Sequence, residues 1–277
     1  MPLKILFVGD VVGSPGRKIV CQALPRVVPR WGIGLVVCNA ENAAGGSGLT
    51  VRCFEELTEA GVDVMTMGDH VYRKDEIFQV FDRSDRALRP ANFPRDAPGP
   101  ELAVVQARDG TPAAVFTVLG RTYMRPVDCP FHASDRVLER IGGMTKVVVV
   151  DIHAEATSDK QLLARYLDGR VSLALGTHTH VVTADEQILK GGTAYQSDVG
   201  MTGPHDSIIG RRYDRVLGTT LTFVPSYFDV ATGDPRLSAT LVTVNSQTGK
   251  ALAIQRVSIN QEEARRLLTE PAEEAHE

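Results

Sequence analysis

From residue 4 onward, short apolar runs rich in β-branched residues alternate with amphipathic segments. "KILFVG" (4–9), "GLVVCN" (34–39) and "VDVMTMG" (62–68) have the length and composition of buried strands. Between and after them, "GRKIVCQALPRVV", "VRCFEELTEAG" (51–61) and "RKDEIFQVFDR" (73–83) carry apolar residues at helical spacing. Ser14 and Pro15 are expected to open the first helix, and Gly61 to end the second. Strand and helix in repeated succession demand a sheet with parallel strands covered by helices.

The middle of the chain breaks that rhythm. "LAVVQARDGTPAAVFTVLG" (102–120) reads as two strands around a "DGTP" turn, a hairpin. "SDRVLERIGG" is then a helix, "KVVVVDIH" (146–153) a buried strand, and "SDKQLLARYLDG" a helix capped by Ser158. "RVSLALGTHTH" ends a further strand, and "LSATLVTVNSQTGKALAIQRVSI" (237–259) is a long hairpin. No repeat or linker divides the chain. The expectation is one α/β domain over residues 1–268, with sheets that mix parallel and antiparallel strands. An acidic tail over 269–277 is expected to be disordered.

Composition narrows the function classes. A net charge of −4 over 277 residues argues against binding duplex nucleic acid by phosphate neutralisation, though not against a small nucleotide. Cys21, Cys38, Cys53 and Cys129 show no paired spacing and read as reduced thiols, mostly buried, in a cytoplasmic protein. The apolar run in "MPLKILFVGD" is too short for a signal peptide or a membrane span, so no membrane association is expected. Homo-oligomerisation is a general expectation for a cytosolic enzyme and nothing in the chain specifies it.

Function in such sheets gathers at the carboxyl ends of strands. Five of the expected strand ends carry polar residues of one kind: Asp10; Glu41 and Asn42; Asp69 and His70; His153, with Asp151 and Glu155 nearby; His178 and His180. Each has a plainer explanation alone. Asp10 could cap a helix, Glu41 and Asn42 could line a glycine-rich turn, His70 could sit on the surface, His153 could be a satisfied core histidine, and "HTH" could be an exposed loop. Five such explanations would have to hold at once.

Residues two apart on an extended strand point the same way, so His178 and His180 are expected to reach one face. One metal could take both, or two neighbouring metals one each. A nitrogen and oxygen donor set suits Mn, Fe, Zn or Co better than Ca or Mg, and the lack of thiolates argues against a structural zinc. Three carboxylates, Asp10, Glu41 and Asp69, crowded together need cations to stay ionised. Two cations a few ångströms apart form the usual clamp for in-line phosphoryl displacement.

The stretches "GDVVGSPGR", "NAENAAGGSGLT", "GDH", "RPANFP", "DIHAEATSDK", "GTHTHVVTAD" and "SDVGMTGPHDSIIG" resemble the calcineurin-type metallophosphoesterases. More narrowly they resemble the YmdB-like bacterial family of 2′,3′-cyclic-nucleotide phosphodiesterases. The likeness runs from residue 9 to about 210 and weakens beyond it. It implies a fold of two mixed β-sheets packed together and flanked by helices, an α/β/β/α sandwich. It implies two transition-metal ions, Fe or Mn or alternatively Zn. Asp10 and His180 would bind the first with Asn42 assisting, Glu41 would bridge, and Asp69, His153 and His178 would bind the second. It further implies attack by a metal-bridging hydroxide with His70 as general acid, opening a small 2′,3′-cyclic nucleotide to a 3′-nucleotide.

Two positions depart from the broader pattern. Val12 stands where most of the superfamily has His, and Asp69 where the family usually has Asn. The segment 197–210 is expected to be a rigid loop near "GTHTH", either a substrate-side wall that could include His205 or a packed structural turn. "AAGGSG" is expected to be a flexible loop that lets Glu41 and Asn42 reach the metals. A nucleotide or phosphoprotein phosphatase and a metal-binding scaffold remain alternative readings of the same residues.

Overall fold

A computed structural model describes residues 2–269, so the tail expectation for 270–277 lies outside the described residues. The first sheet is built from β1 (Pro2–Val8), β2 (Asp10–Val11), β3 (Ile33–Asn39), β4 (Val64–Thr66), β5 (Ala87–Leu88), β12 (Met201–Asp206), β13 (Gly233–Asn245) and β14 (Ala251–Asn260). Its order is β2-β12-β13-β1-β3-β4-β5, with β14 also on β13. β1, β3, β4 and β5 run parallel, and β13 lies antiparallel to β1, β12 and β14. The second sheet contains β6 (Leu102–Gln106), β7 (Pro112–Leu119), β8 (Val147–His153), β9 (Leu173–Thr177), β10 (Gln187–Ile188) and β11 (Ala194–Gln196). Its order is β10-β11-β9-β8-β7-β6, parallel in the middle and antiparallel at both edges.

Burial explains the layering. β1, β3, β8 and β9 are apolar on both faces, which only a sheet covered on both sides requires. Phe7, Leu35, Val37, Val115, Val149 and Leu175 belong to the core between the two sheets. The outer face of the first sheet packs under α1 (Gly13–Trp31), α2 (Val51–Glu59), α3 (Glu76–Arg83) and α7 (Gln261–Thr269). α4 (Pro130–Ile141) and α5 (Thr157–Leu167) cover the other sheet, and α6 (Tyr213–Thr222) buries none of its residues. The result is the expected α/β/β/α sandwich. No helix among the described residues is long and apolar enough to cross a membrane. The four cysteines are free; Cys38 and Cys53 are buried, whereas Cys21 is exposed.

Three helix starts differ from the sequence expectation. α1 begins at Gly13 rather than after Ser14, and its residue Val12 makes no side-chain cap. The Gly13 N–H instead donates to the carbonyl of Asn42 (2.9 Å), so the site loop does the capping. α4 begins at Pro130, and Ser134 lies inside it with its hydroxyl donating to the Pro130 carbonyl (2.7 Å). α5 begins at Thr157 with Ser158 already helical. α1 also continues through Pro25 and Pro29 to Trp31, because its buried face, Ile19 to Val27, holds it on the sheet.

The two sheets present their strand ends on the same side. β1, β3 and β4 lead into Asp10, Glu41 and His70; β8 and β9 lead into His153 and His178. Phe7 is fully buried in the layer that sets this alignment. Phe7→Ala is expected to lower stability by about 3–5 kcal/mol, read from the midpoint of urea unfolding.

Candidate metal centre

Glu41, Asp69, His153 and His178 each place one donor atom within 4.8 Å of every other. His153 ends β8 and is fully buried. Its Nε2 lies 3.3 Å from Glu41 Oε1, 3.3 Å from Asp69 Oδ1 and 3.0 Å from His178 Nδ1. On the other side, Asp10 Oδ1 lies 3.7 Å from His180 Nε2, and Asn42 Nδ2 lies 3.3 Å from that nitrogen and 3.2 Å from Glu41 Oε1. Glu41 thus stands between two groups of donors. All seven residues expected to bind metal, Asp10, Glu41, Asn42, Asp69, His153, His178 and His180, converge, and His70 joins them.

Each imidazole is oriented by a partner on its far nitrogen. Thr177 donates its hydroxyl to Asp151 Oδ1 (2.6 Å), so its oxygen accepts from His153 Nδ1 (2.8 Å) and Nε2 faces the cluster. His178 Nε2 lies 3.3 Å from Glu155 Oε2, which leaves Nδ1 facing inward. His180 Nδ1 donates to the Ile209 carbonyl (2.9 Å), leaving Nε2 toward Asp10. Such outer partners fix the tautomer of a metal-binding histidine. Sequence reading did not foresee Thr177 and Ile209 in this role; a hydroxyl at a strand end and a backbone carbonyl carry no compositional signal.

His178 and His180 do not lie on a strand as expected. β9 ends at Thr177, and both histidines have positive φ, 97° and 64°. The turn splits them: His178 goes to Asp69 and His153, His180 to Asp10 and Asn42. Thr179 between them is held by Asp198, which accepts from its N–H (3.1 Å) and hydroxyl (2.8 Å). Asp198 is buried and paired with Lys160 Nζ (2.7 Å), itself buried on α5. Within the 197–210 segment Asp198 and Ile209 support the histidine turn, Met201–Asp206 is β12, and His205 Nε2 bonds to the Met201 carbonyl (3.1 Å).

The 41–48 loop is pinned rather than flexible. Arg17 donates to the Ala43 carbonyl and pairs with Glu56, and Arg211 donates to the Gly46 carbonyl. Gly68 is required for close approach: a Cβ there would overlap His153 Nε2 and Glu41 Oε2. This lets the following turn bring the His70 N–H to Glu41 Oε2 (3.1 Å) and His70 Nδ1 to Asn42 Oδ1 (2.9 Å). The His70 side chain is 26% exposed, at the mouth of the cluster, with Nε2 3.7 Å from Asp69 Oδ2.

The electrostatics of this donor set fit cations. Asp10 Oδ1 is a fully buried oxygen with no hydrogen-bond partner among the described residues. Burial pushes Asp10 up to about 7, against the opposing pull of His180 and His153. Burial alone would lower His153, but the Glu41 and Asp69 carboxylates raise it well above the usual imidazole range. Burial also acts on Glu41, yet His153 more than offsets it and takes the carboxyl down to about 2. Burial and the positive charge of His153 lower His178 to about 4. His153 thus serves as the counter-ion of its own cluster, a place that a metal would take.

Sheet order and clustered Asp, Glu and His donors define the fold as that of the metallophosphoesterases. A sequence model of the YmdB-like protein family matches residues 6–257, and the chain belongs to that family. It is 43% identical over 258 residues to the 2′,3′-cyclic-nucleotide 2′-phosphodiesterase of Bacillus subtilis, covering 93% of this chain and 97% of the relative. A crystal structure of a hypothetical protein from Thermus thermophilus superposes with a TM-score of 0.87 at 41% identity, covering 93% of this chain and 99% of the other. A crystal structure described as a novel phosphatase from Mycoplasma pneumoniae gives the same TM-score at 29% identity, over 98% of both chains.

Metal ligands must shed their protons. Loading the metal-free protein with Mn²⁺ is therefore expected to release protons, and apparent affinity to rise with pH through about 7 as Asp10 ionises. Calorimetry in buffers of different ionisation heat measures both; pH-independent binding would contradict a protonated Asp10 and His153.

Proposed function

We propose that this phosphoric diester hydrolase acts on small cyclic nucleotides, opening 2′,3′-cyclic nucleotides to 3′-nucleotides with the help of two transition-metal ions. Asp10 and His180, with Asn42 beside them, would hold the first ion, and Asp69, His153 and His178 the second, with Glu41 shared. Fe or Mn is the expected occupant, and Zn would also suit the donors. When bound, the ions supply Lewis acidity toward the phosphoryl oxygens and lower the pKa of a water toward neutrality. The observation that carries this reading is the orphaned, buried Asp10 Oδ1 facing His180 Nε2, beside a Glu41 whose Oε1 meets His153 Nε2.

The chain's own residues then divide the work. Asn42 Oδ1 accepts from His70 Nδ1 and aims Nε2 at the open mouth. From there His70 Nε2 delivers a proton to the departing ribose 2′ oxygen, so that the leaving group departs as a neutral hydroxyl. Asp69 Oδ2 lies 3.7 Å from that nitrogen, beyond hydrogen-bond reach, as a charged neighbour. Asp69 would thus lie beside both the second ion and the acid, with a charge that an amide at this position would lack.

His70→Ala is expected to lower kcat on 2′,3′-cyclic nucleotides by about 10²–10⁴-fold while two equivalents of metal stay bound, read by steady-state rates and elemental analysis. Substoichiometric metal after reconstitution would sink the dinuclear reading. Robust monoesterase activity without turnover of any 2′,3′-cyclic nucleotide would transfer the assignment to a phosphatase. Biological activity that survives in His70→Ala would favour a metal-binding scaffold.

A further inference from the structure

A cavity of about 470 Å³ opens beside the cluster, lined by Asp69, Tyr72, Arg73 and Arg125. Its size is that of a small-molecule site, and Asp69 is common to it and to the metal centre. The two arginines are exposed and neither has a carboxylate partner among the described residues. Both are nonetheless positioned. The Arg125 guanidinium lies over the Phe93 ring, 5.4 Å from its centroid, which leaves its N–H edge free. Phe93 in turn packs on Tyr72, whose hydroxyl is tied to the Pro98 carbonyl (2.7 Å). Arg73 is anchored through its backbone, whose N–H donates to the His70 carbonyl (3.0 Å).

Resting on the function proposed above, we infer that this cavity receives a phosphate attached to the 5′ oxygen of the cyclic nucleotide, with Arg73 and Arg125 as its specificity-determining residues. With the cyclic phosphate at the metal centre, the ribose has two remaining substituents, the base at C1′ and the 5′ oxygen. A cavity adjoining Asp69 is placed to take one of them. Two unpaired guanidiniums select the anionic one, because planar N–H forks match phosphate and an uncharged base leaves both charges uncompensated. The preferred substrates are therefore 2′,3′-cyclic phosphates that also carry a 5′ phosphate, either as a monoester or as the last linkage of an oligonucleotide.

The test compares kcat/KM of the Mn-loaded protein on a nucleoside 2′,3′-cyclic phosphate bearing a 5′ hydroxyl, the same compound with a 5′ monophosphate, and a dinucleotide ending in the cyclic phosphate. Wild type is expected to prefer the 5′-phosphorylated forms by about 10–100-fold, and Arg73→Gln/Arg125→Gln to bring that ratio close to one. Preference for both forms identifies the 5′ phosphate itself; preference for the dinucleotide alone identifies oligonucleotide ends. Calorimetric binding of a nucleoside 3′,5′-bisphosphate against the 3′-monophosphate, in the same Mn-loaded proteins, separates this inference from the reaction it rests on. A bisphosphate preference that vanishes in the double variant supports the inference even if no cyclic substrate turns over. Equal affinity for the two products in wild type, or a preference that the double variant retains, overturns it.

Discussion

Asp151 lies where the two sheets meet, and the position of everything above it depends on how its charge is satisfied. It is fully buried, and burial pushes its carboxyl up from the usual range. Three donors compensate: Asn39 Nδ2 (3.0 Å) and the Thr66 hydroxyl (2.5 Å) from the first sheet, and the Thr177 hydroxyl from the second. A buried carboxylate without them would cost several kcal/mol (about 3–5 when a partner is lost). The arrangement therefore favours one registration of sheet on sheet. In that registration the ends of β3, β4, β8 and β9 come together, and with them Glu41, His70, His153 and His178.

The same clamp reaches the chemistry in one step. Thr177 gives its proton to Asp151 and so must accept from His153, which turns Nε2 toward the cluster. His178 and His180 obtain equivalent direction from Glu155 and from the Ile209 carbonyl. Three imidazoles thus arrive with their free nitrogens converging on Asp10, Glu41 and Asp69. The energetic weight of the site lies in these outer partners as much as in the donors, since a freely turning ring would lose the convergence.

Much of this was legible in the sequence, and the failures share a cause. Alternating apolar runs gave the strands of both sheets, and the residues after strands one to three and after "KVVVV" are the ones that meet. What local pattern could not give was anything decided by distant contacts. Ser14 and Ser158 look like caps, but Asn42 takes the first duty and α5 opens at Thr157 without a side-chain cap. "GTHTH" reads as the continuation of a strand, yet Asp198 and Ile209 pull it into a turn with positive φ at both histidines. "AAGGSG" has the composition of a flexible loop and is immobilised by Arg17 and Arg211 from far along the chain.

Lys160 shows what this burial means for reactivity. Its amine is sealed beneath the histidine turn, 1% exposed and joined to Asp198. Acylating reagents reach amines through solvent, so this lysine stays unlabelled for as long as the turn is closed. Acylation there would count excursions in which the turn lifts off α5, and its rate would serve as a clock for the stiffness of the ground on which His178 and His180 stand.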